Sequence, residues 1–173
     1  MKKVFYIFIC LLLLVSLSSS TNSQKYDAKL FSCVNKVIRL IEWETKNTTA
    51  SFDIGFMGDH HLFVLTQDFF RGKTHNNKPI KVVHYLNSSQ LERTPPKVLY
   101  MGKHKHDISK LNMICNSKHI FSISDNQTFR NDIPLILLKL NGTIVDILVN
   151  KTEADKQSFK LSYHLLRAAK EVK

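Results

Sequence analysis

The side chains of this 173-residue sequence best able to do chemistry fall in four short polar runs. These are Asp59-His60-His61, Asn87-Ser88-Ser89, Lys103-His104 with His106, and Asp125-Asn126. Each lies close behind an apolar run that reads as a strand. In an open parallel sheet, ligands favour the crevice beyond the carboxyl ends of the strands. Asp59, His60, Lys103, His104, Asp125 and Asn126 are therefore the candidate binding residues, on a mixed-charge rim suited to a small anion or an amino-acid-like ligand. Loops at strand ends are polar in most folds, so the same residues also fit a plain solvated rim. His60-His61 and His104-x-His106 are the metal candidates, because imidazole is a common ligand. Their spacing matches no zinc pattern and no cysteine accompanies them, which favours ordinary surface histidines, with no metal and no cofactor expected. Catalysis finds little support, and a hydrolase using the histidine loops is the minority reading. A nucleophile elbow, a phosphate-cradling glycine loop and a His-Glu-x-x-His helix are all missing from a chain with five glycines. Asp53 and Asp125 have nothing that marks them as an acid/base pair. The expectation is a non-enzymatic protein.

The elements that must position these residues follow from apolar periodicity. Leu30, Val34, Val37 and Ile41 fall at helical spacing within Tyr26–Trp43. Strands are predicted at Phe52–Met57, Pro79–Tyr85, Val98–Met101 and Ile120–Ile123, with helices at Leu62–Phe70 and Ile108–Cys115, the latter capped by Asp107. Alternating strands and helices point to a mostly parallel sheet covered on both faces. Near the C-terminus, Leu135–Leu140 and Thr143–Val149 flank Asn141-Gly142, a dipeptide suited to a two-residue hairpin turn. A closing helix is predicted over Phe159–Val172, packing through Leu161, Leu165, Ala168, Ala169 and Val172. The fold class is α/β, a single three-layer domain with an antiparallel hairpin near the C-terminus.

The N-terminus sets the compartment. Met1-Lys2-Lys3 precedes an almost unbroken apolar run from Val4 to Leu17, followed by small polar residues. That order is the pattern of a secretory signal peptide, and the run is shorter than the roughly 20 residues of a membrane-spanning helix. Residues 1–23 are read as the leader and 24–173 as the exported domain. The charge is +11, from 25 Lys+Arg against 14 Asp+Glu. The lysines are scattered, without an arginine-rich stripe, so the excess reads as a solvated surface and nucleic acid is not an expected partner. Of three cysteines, Cys10 leaves with the leader. Cys33 and Cys115 are then either one disulfide in an oxidising compartment or two buried free thiols. Five Asn-x-Ser/Thr sites, at Asn47, Asn87, Asn126, Asn141 and Asn150, read as chance matches in an Asn-rich chain.

Four stretches, in order along the mature chain, carry a resemblance. They are Ile41-Glu42-Trp43 with Phe52–Asp59; Asn77-Lys78-Pro79-Ile80-Lys81-Val82; Val98–Gly102 followed by Ile120–Asp125; and Ile147–Asn150, Ala154 and Leu161–Ala169. Together they resemble the YfiR-like family of small exported bacterial proteins. Lys78 stands where that family has Arg, Tyr163 where it has a second Ser, and Ala168 where it has Leu; Asn131-Asp132-Ile133-Pro134 replaces a Gly-rich stretch. The resemblance implies a periplasmic regulator acting on a membrane-bound signalling protein of the diguanylate cyclase or sensor kinase type, and so a role in cyclic-di-GMP signalling. Two mature cysteines are too few for the paired disulfides associated with redox control in some members. A small-molecule binding module, with the strand-end rim as its site, is the alternative. A homodimer fits either role.

Overall fold

The computed structural model describes residues 26–43, 49–102, 107–127 and 134–172. The leader run, Lys103–His106 and Asn131–Ile133 lie outside the described residues. A helix over 26–39 (α1) opens the described chain and is followed by β1 (Ile41–Glu42) and β2 (Phe52–Met57). Next come α2 (His60–Phe70), β3 (Thr74–His75), β4 (Lys78–His84), α3 (Ser88–Arg93) and β5 (Val98–Met101). After α4 (Ile108–Lys118) and β6 (Phe121–Ser124), the hairpin β7 (Ile136–Asn141) and β8 (Ile144–Val149) leads to α5 (Lys151–Lys156). The chain closes with β9 (Lys160–Leu161), α6 (Tyr163–Ala168) and β10 (Glu171–Val172).

Eight strands form the main sheet in the order β10-β8-β7-β6-β5-β2-β4-β3. Neighbours among β4, β2, β5, β6 and β7 are parallel, whereas β7/β8 and β3/β4 are antiparallel pairs. The connectivity places the second parallel strand outside the first and the remaining three on its other side, which is the flavodoxin-like doubly wound order. The predicted parallel sheet, its helices on both faces and the Asn141-Gly142 hairpin are all present.

Alternation along the strands sends successive side chains to opposite faces, and two cores result. Val98 and Tyr100 of β5 join Phe56, Phe121 and Ile123 under α1 and α2, while Leu99 and Met101 pack with Leu91 of α3 and Ile114 of α4. Gly58 (φ +158°) takes the chain out of β2 close to Gly102.

Two predicted helices are corrected. The first helix ends at residue 39, and the indole Nε1–H of Trp43 turns back to donate to the Ile38 carbonyl at 2.8 Å, so Ile41–Glu42 is strand. The predicted closing helix over 159–172 is instead β9, a short α6 and β10. Ile41 pairs with Leu161 and Glu42 with Lys160 in an antiparallel ribbon. Ser162 then caps α6 by accepting from Leu165 N–H, which restarts the helix after that pairing. The last residues finally join β8 as a parallel edge strand. Sheet pairing overrides helical spacing here.

Cys33 and Cys115 are free thiols. Cys33 packs against the core under α1 and Cys115 belongs to the core on the opposite face, so the sheet stands between them and the disulfide alternative falls away. Burial pushes the Cys33 thiol up to about 11, against a smaller opposing pull from Lys36, and the Cys115 thiol up to about 12. Neither is a thiolate near neutral pH, so both are poor nucleophiles. The expected result is that alkylation near pH 8 labels both only after denaturation, read by peptide mass spectrometry. Recovery of a Cys33–Cys115 crosslinked peptide would contradict the arrangement.

Candidate functional site

The carboxyl edge of the parallel strands carries Asp59, His60, Asp125 and Asn126 of the residues singled out from the sequence, and its helix caps serve the backbone. Asp59 is the N-cap of α2, its carboxylate accepting from His61 N–H at 2.8 Å and Leu62 N–H at 3.3 Å. Asn87 and Asp107 cap α3 and α4 in the same way, accepting from Gln90 and Lys110 N–H. These side chains satisfy helix amides that would otherwise lack a partner, and the strand-to-helix loops of a doubly wound fold demand them. His60 is exposed, and its ring lies 5.7 Å from that of His84 at the end of β4. His84 in turn stacks on Phe63 at 4.5 Å. Lys103 and His104 lie outside the described residues.

Asp125 and Asn126 follow β6 and are both buried. Ser124 Oγ donates to the Met101 carbonyl at 2.6 Å and accepts from Asn126 N–H at 3.0 Å, which ties this turn to β5. The fully buried Tyr100 has its phenol pKa pushed well up, first by burial and then by the charge and hydrogen bond of Asp125. Buried Asp27 at the start of α1 adds to the same effect. Asp59 and His60 therefore share an edge with Asp125 and Asn126, but β5 separates the two groups in the sheet order. Among the described residues no cluster of three or more His, Cys, Asp or Glu side chains is placed to hold a metal ion.

At the opposite, amino-terminal edge lies a cavity of about 270 Å³. Its walls come from segments flanking β1, β2, β3, β5, β6 and β9. Trp43 and Phe52 meet edge to face at 5.2 Å, and Phe52 lies 4.5 Å from the ring of His75. Phe121 sits behind them, 5.8 Å from Trp43 and 5.1 Å from Phe159. His119, left-handed at φ 53° where it ends α4, stacks on Phe159 at 4.2 Å. Lys78, Lys97 and Lys160 bring positive charge to the lining, against Glu42 as its one carboxylate. The geometry offers an apolar, aromatic hollow with a cationic mouth, a combination that suits small-molecule recognition.

Sequence reasoning missed this cavity entirely. The signals that point to it are modest: Trp43 is the sole tryptophan, and Lys78, Lys97 and Lys160 each stand at or just before the first residue of a strand.

His75 is 7 % exposed, and burial first and Arg39 second hold its pKa below the usual imidazole value of 6.5. The folded chain therefore binds fewer protons than the unfolded chain once the pH drops through 6.5, so stability must fall over that window. The urea midpoint is expected to be lower near pH 5.5 than near pH 7.5, and His75→Phe to flatten the difference. An equally steep decline in the variant would assign the acid sensitivity elsewhere.

Five parallel strands in this order, helices on both faces and a hollow at the sheet edge define a doubly wound α/β protein without an assembled catalytic constellation among its described residues. The chain belongs to the YfiR/HmsC-like family, whose model matches residues 31–170. Among solved structures it is similar to a conserved domain protein from Vibrio cholerae O1 biovar El Tor str. N16961, with a TM-score of 0.60 and 10% identity over 85% of this chain. It is also similar to the ABC domain in complex with L-Trp from Streptococcus pneumoniae, with a TM-score of 0.57 and 8% identity over 80% of this chain. It spans 60% and 58% of those two chains, and at such identities the likeness is one of fold. No curated protein matches the sequence.

Proposed function

We propose that this protein is an exported, non-enzymatic regulator that binds the periplasmic domain of a membrane signalling protein of the diguanylate cyclase or sensor kinase type. The observation that carries the reading is membership of the YfiR/HmsC-like family over residues 31–170. The N-terminal sequence supports export, as it has the charge and apolar order of a cleaved leader. Among the described residues no helix is long and apolar enough to cross a membrane. The caps at the carboxyl edge fit a non-catalytic role, because Asp59, Asn87 and Asp107 each commit one side-chain oxygen to helix amides. The exposed surface available to a partner includes Leu86 at 69%, Met113 at 65% and Tyr163 at 70%, and large exposed apolar side chains are favoured contact points at protein interfaces.

Deletion followed by complementation tests this. Loss of the protein is expected to change the cellular cyclic-di-GMP level or kinase output. The full chain is expected to restore it, and a version lacking residues 1–23 is not. Restoration by the leaderless version would refute action outside the cytoplasm. No change on deletion would refute the regulatory role.

A further inference from the structure

We propose that the hollow at the amino-terminal edge of the sheet is a binding site for a small organic anion carrying a flat ring, and that it discriminates against zwitterions. The inference is argued from the lining residues alone, so it stands whether or not the regulatory reading holds.

Its walls decide the ring. Trp43, Phe52 and Phe159 line the hollow, and the indole N–H of Trp43 is already spent on the Ile38 carbonyl. That leaves aromatic surface, which favours an apolar planar guest over a sugar or a peptide backbone. At about 270 Å³ the space suits a single ring system and is too small for a dinucleotide.

The polar groups decide the charge. Lys97 and Lys160 line the hollow, and neither forms an ion pair among the described residues. Lys97 is half-buried, an environment in which an ammonium group gains from a counter-charge. Glu42 is the residue opposite Lys160 across the β1/β9 ribbon and is exposed, so the lining keeps a net positive charge. The positive balance also works against an ammonium-bearing ligand.

His75 adds a polar group to the lining. It is 7 % exposed, and its Nε2 is buried with no hydrogen-bond partner among the described residues. A buried polar atom left unmatched costs stability, and its position among the lining residues gives a ligand oxygen or N–H a fixed partner there. The ring would lie among the aromatics, its anionic group toward Lys97 and Lys160, and its polar edge toward His75.

The sole tryptophan lines the site, so quenching of intrinsic fluorescence reports occupancy without a label. The experiment titrates the mature protein with phenylacetate and phenyl phosphate, and in parallel with phenylalanine, 2-phenylethanol and inorganic phosphate. The expected result is saturable binding of one or both ring-bearing anions. The three comparison compounds are expected to bind at least about tenfold more weakly, a gap of about 1.4 kcal/mol. Preference for phenylacetate would identify a carboxylate ligand, and preference for phenyl phosphate a phosphorylated one. Lys97→Gln combined with Lys160→Gln is expected to lower affinity about tenfold while leaving the melting temperature of the free protein in place. Phenylalanine or inorganic phosphate binding as well as the ring-bearing anions would overturn the proposal. So would no saturable quenching by either ring-bearing anion, or affinity unchanged in the double variant.

Discussion

Gly55→Ala is expected to cost about 3 kcal/mol, and Gly55→Val to leave the chain unable to hold its fold. Gly55 lies inside β2, the strand flanked by β4 and β5 in the middle of the parallel set. A Cβ added there would come within 2.7 Å of Pro96 Cγ, 2.9 Å of Tyr85 Cε2 and 3.1 Å of Leu99 Cδ1. Pro96 and Tyr85 are rings, not the ends of flexible chains, and both are buried, so neither can swing aside. Relief therefore requires moving β5 or the loop that leads into it. Valine adds two further methyl groups to the same crowded space, against a total stability of about 5–15 kcal/mol for an ordinary domain. Urea denaturation of the alanine variant and circular dichroism of the valine variant measure both effects. An alanine variant as stable as the parent would mean that the close approach does not exist in solution.

The second large effect is expected at Phe121. Phe121→Ala should destabilise the protein by about 4 kcal/mol, and Phe121→Leu by clearly less. The ring is fully buried at the start of β6, edge-on to both Trp43 and Phe159. It joins the residue after β1 to the residue before β9, so it backs two walls of the hollow as well as filling the core. Removing it leaves a void that rigid strands on either side cannot close. The tryptophan emission maximum should shift to the red in the alanine variant, as water reaches Trp43. A loss of stability without any change in emission would separate the ring's packing role from its role behind the hollow.

The parts of the fold that sequence reasoning finds are those specified locally. β2, β5 and β6 are short, buried apolar runs that end at turn or cap residues. The β7/β8 hairpin is announced by Asn141-Gly142, with Gly142 at φ +60° in the turn. The parts it misses are two-residue strands and six-residue helices. β1, β3, β9 and β10 are too short to show a period, and they exist because a distant segment supplies their hydrogen bonds. α5 has only Ala154 among its buried residues, so it has no apolar stripe to read. Leu161 and Leu165 are four residues apart, which mimics a helix, but one belongs to β9 and the other to α6.

The site divides along the same line. Polar residues after each strand are visible in sequence because strand-to-helix loops need caps, and Asp59, Asn87 and Asp107 are those caps. The amino-edge hollow is assembled by the same short strands that sequence pattern cannot reveal. Trp43, His75, Lys97, His119 and Phe159 have no common motif; the pairings of β1 with β9 and of β3 with β4 bring Trp43, Phe159 and His75 to the amino ends of β5 and β6, where Lys97 and His119 stand. The preference of ligands for carboxyl-edge crevices in open α/β sheets directs attention to the other end of the sheet.

In-cell crosslinking of the tagged, exported protein, followed by mass spectrometry of the captured species, tests the regulatory account most directly. The account predicts a membrane-embedded cyclase or sensor kinase, crosslinked through its periplasmic segment to this chain. Repeated capture of soluble proteins alone, or of nothing but further copies of this chain, would contradict it.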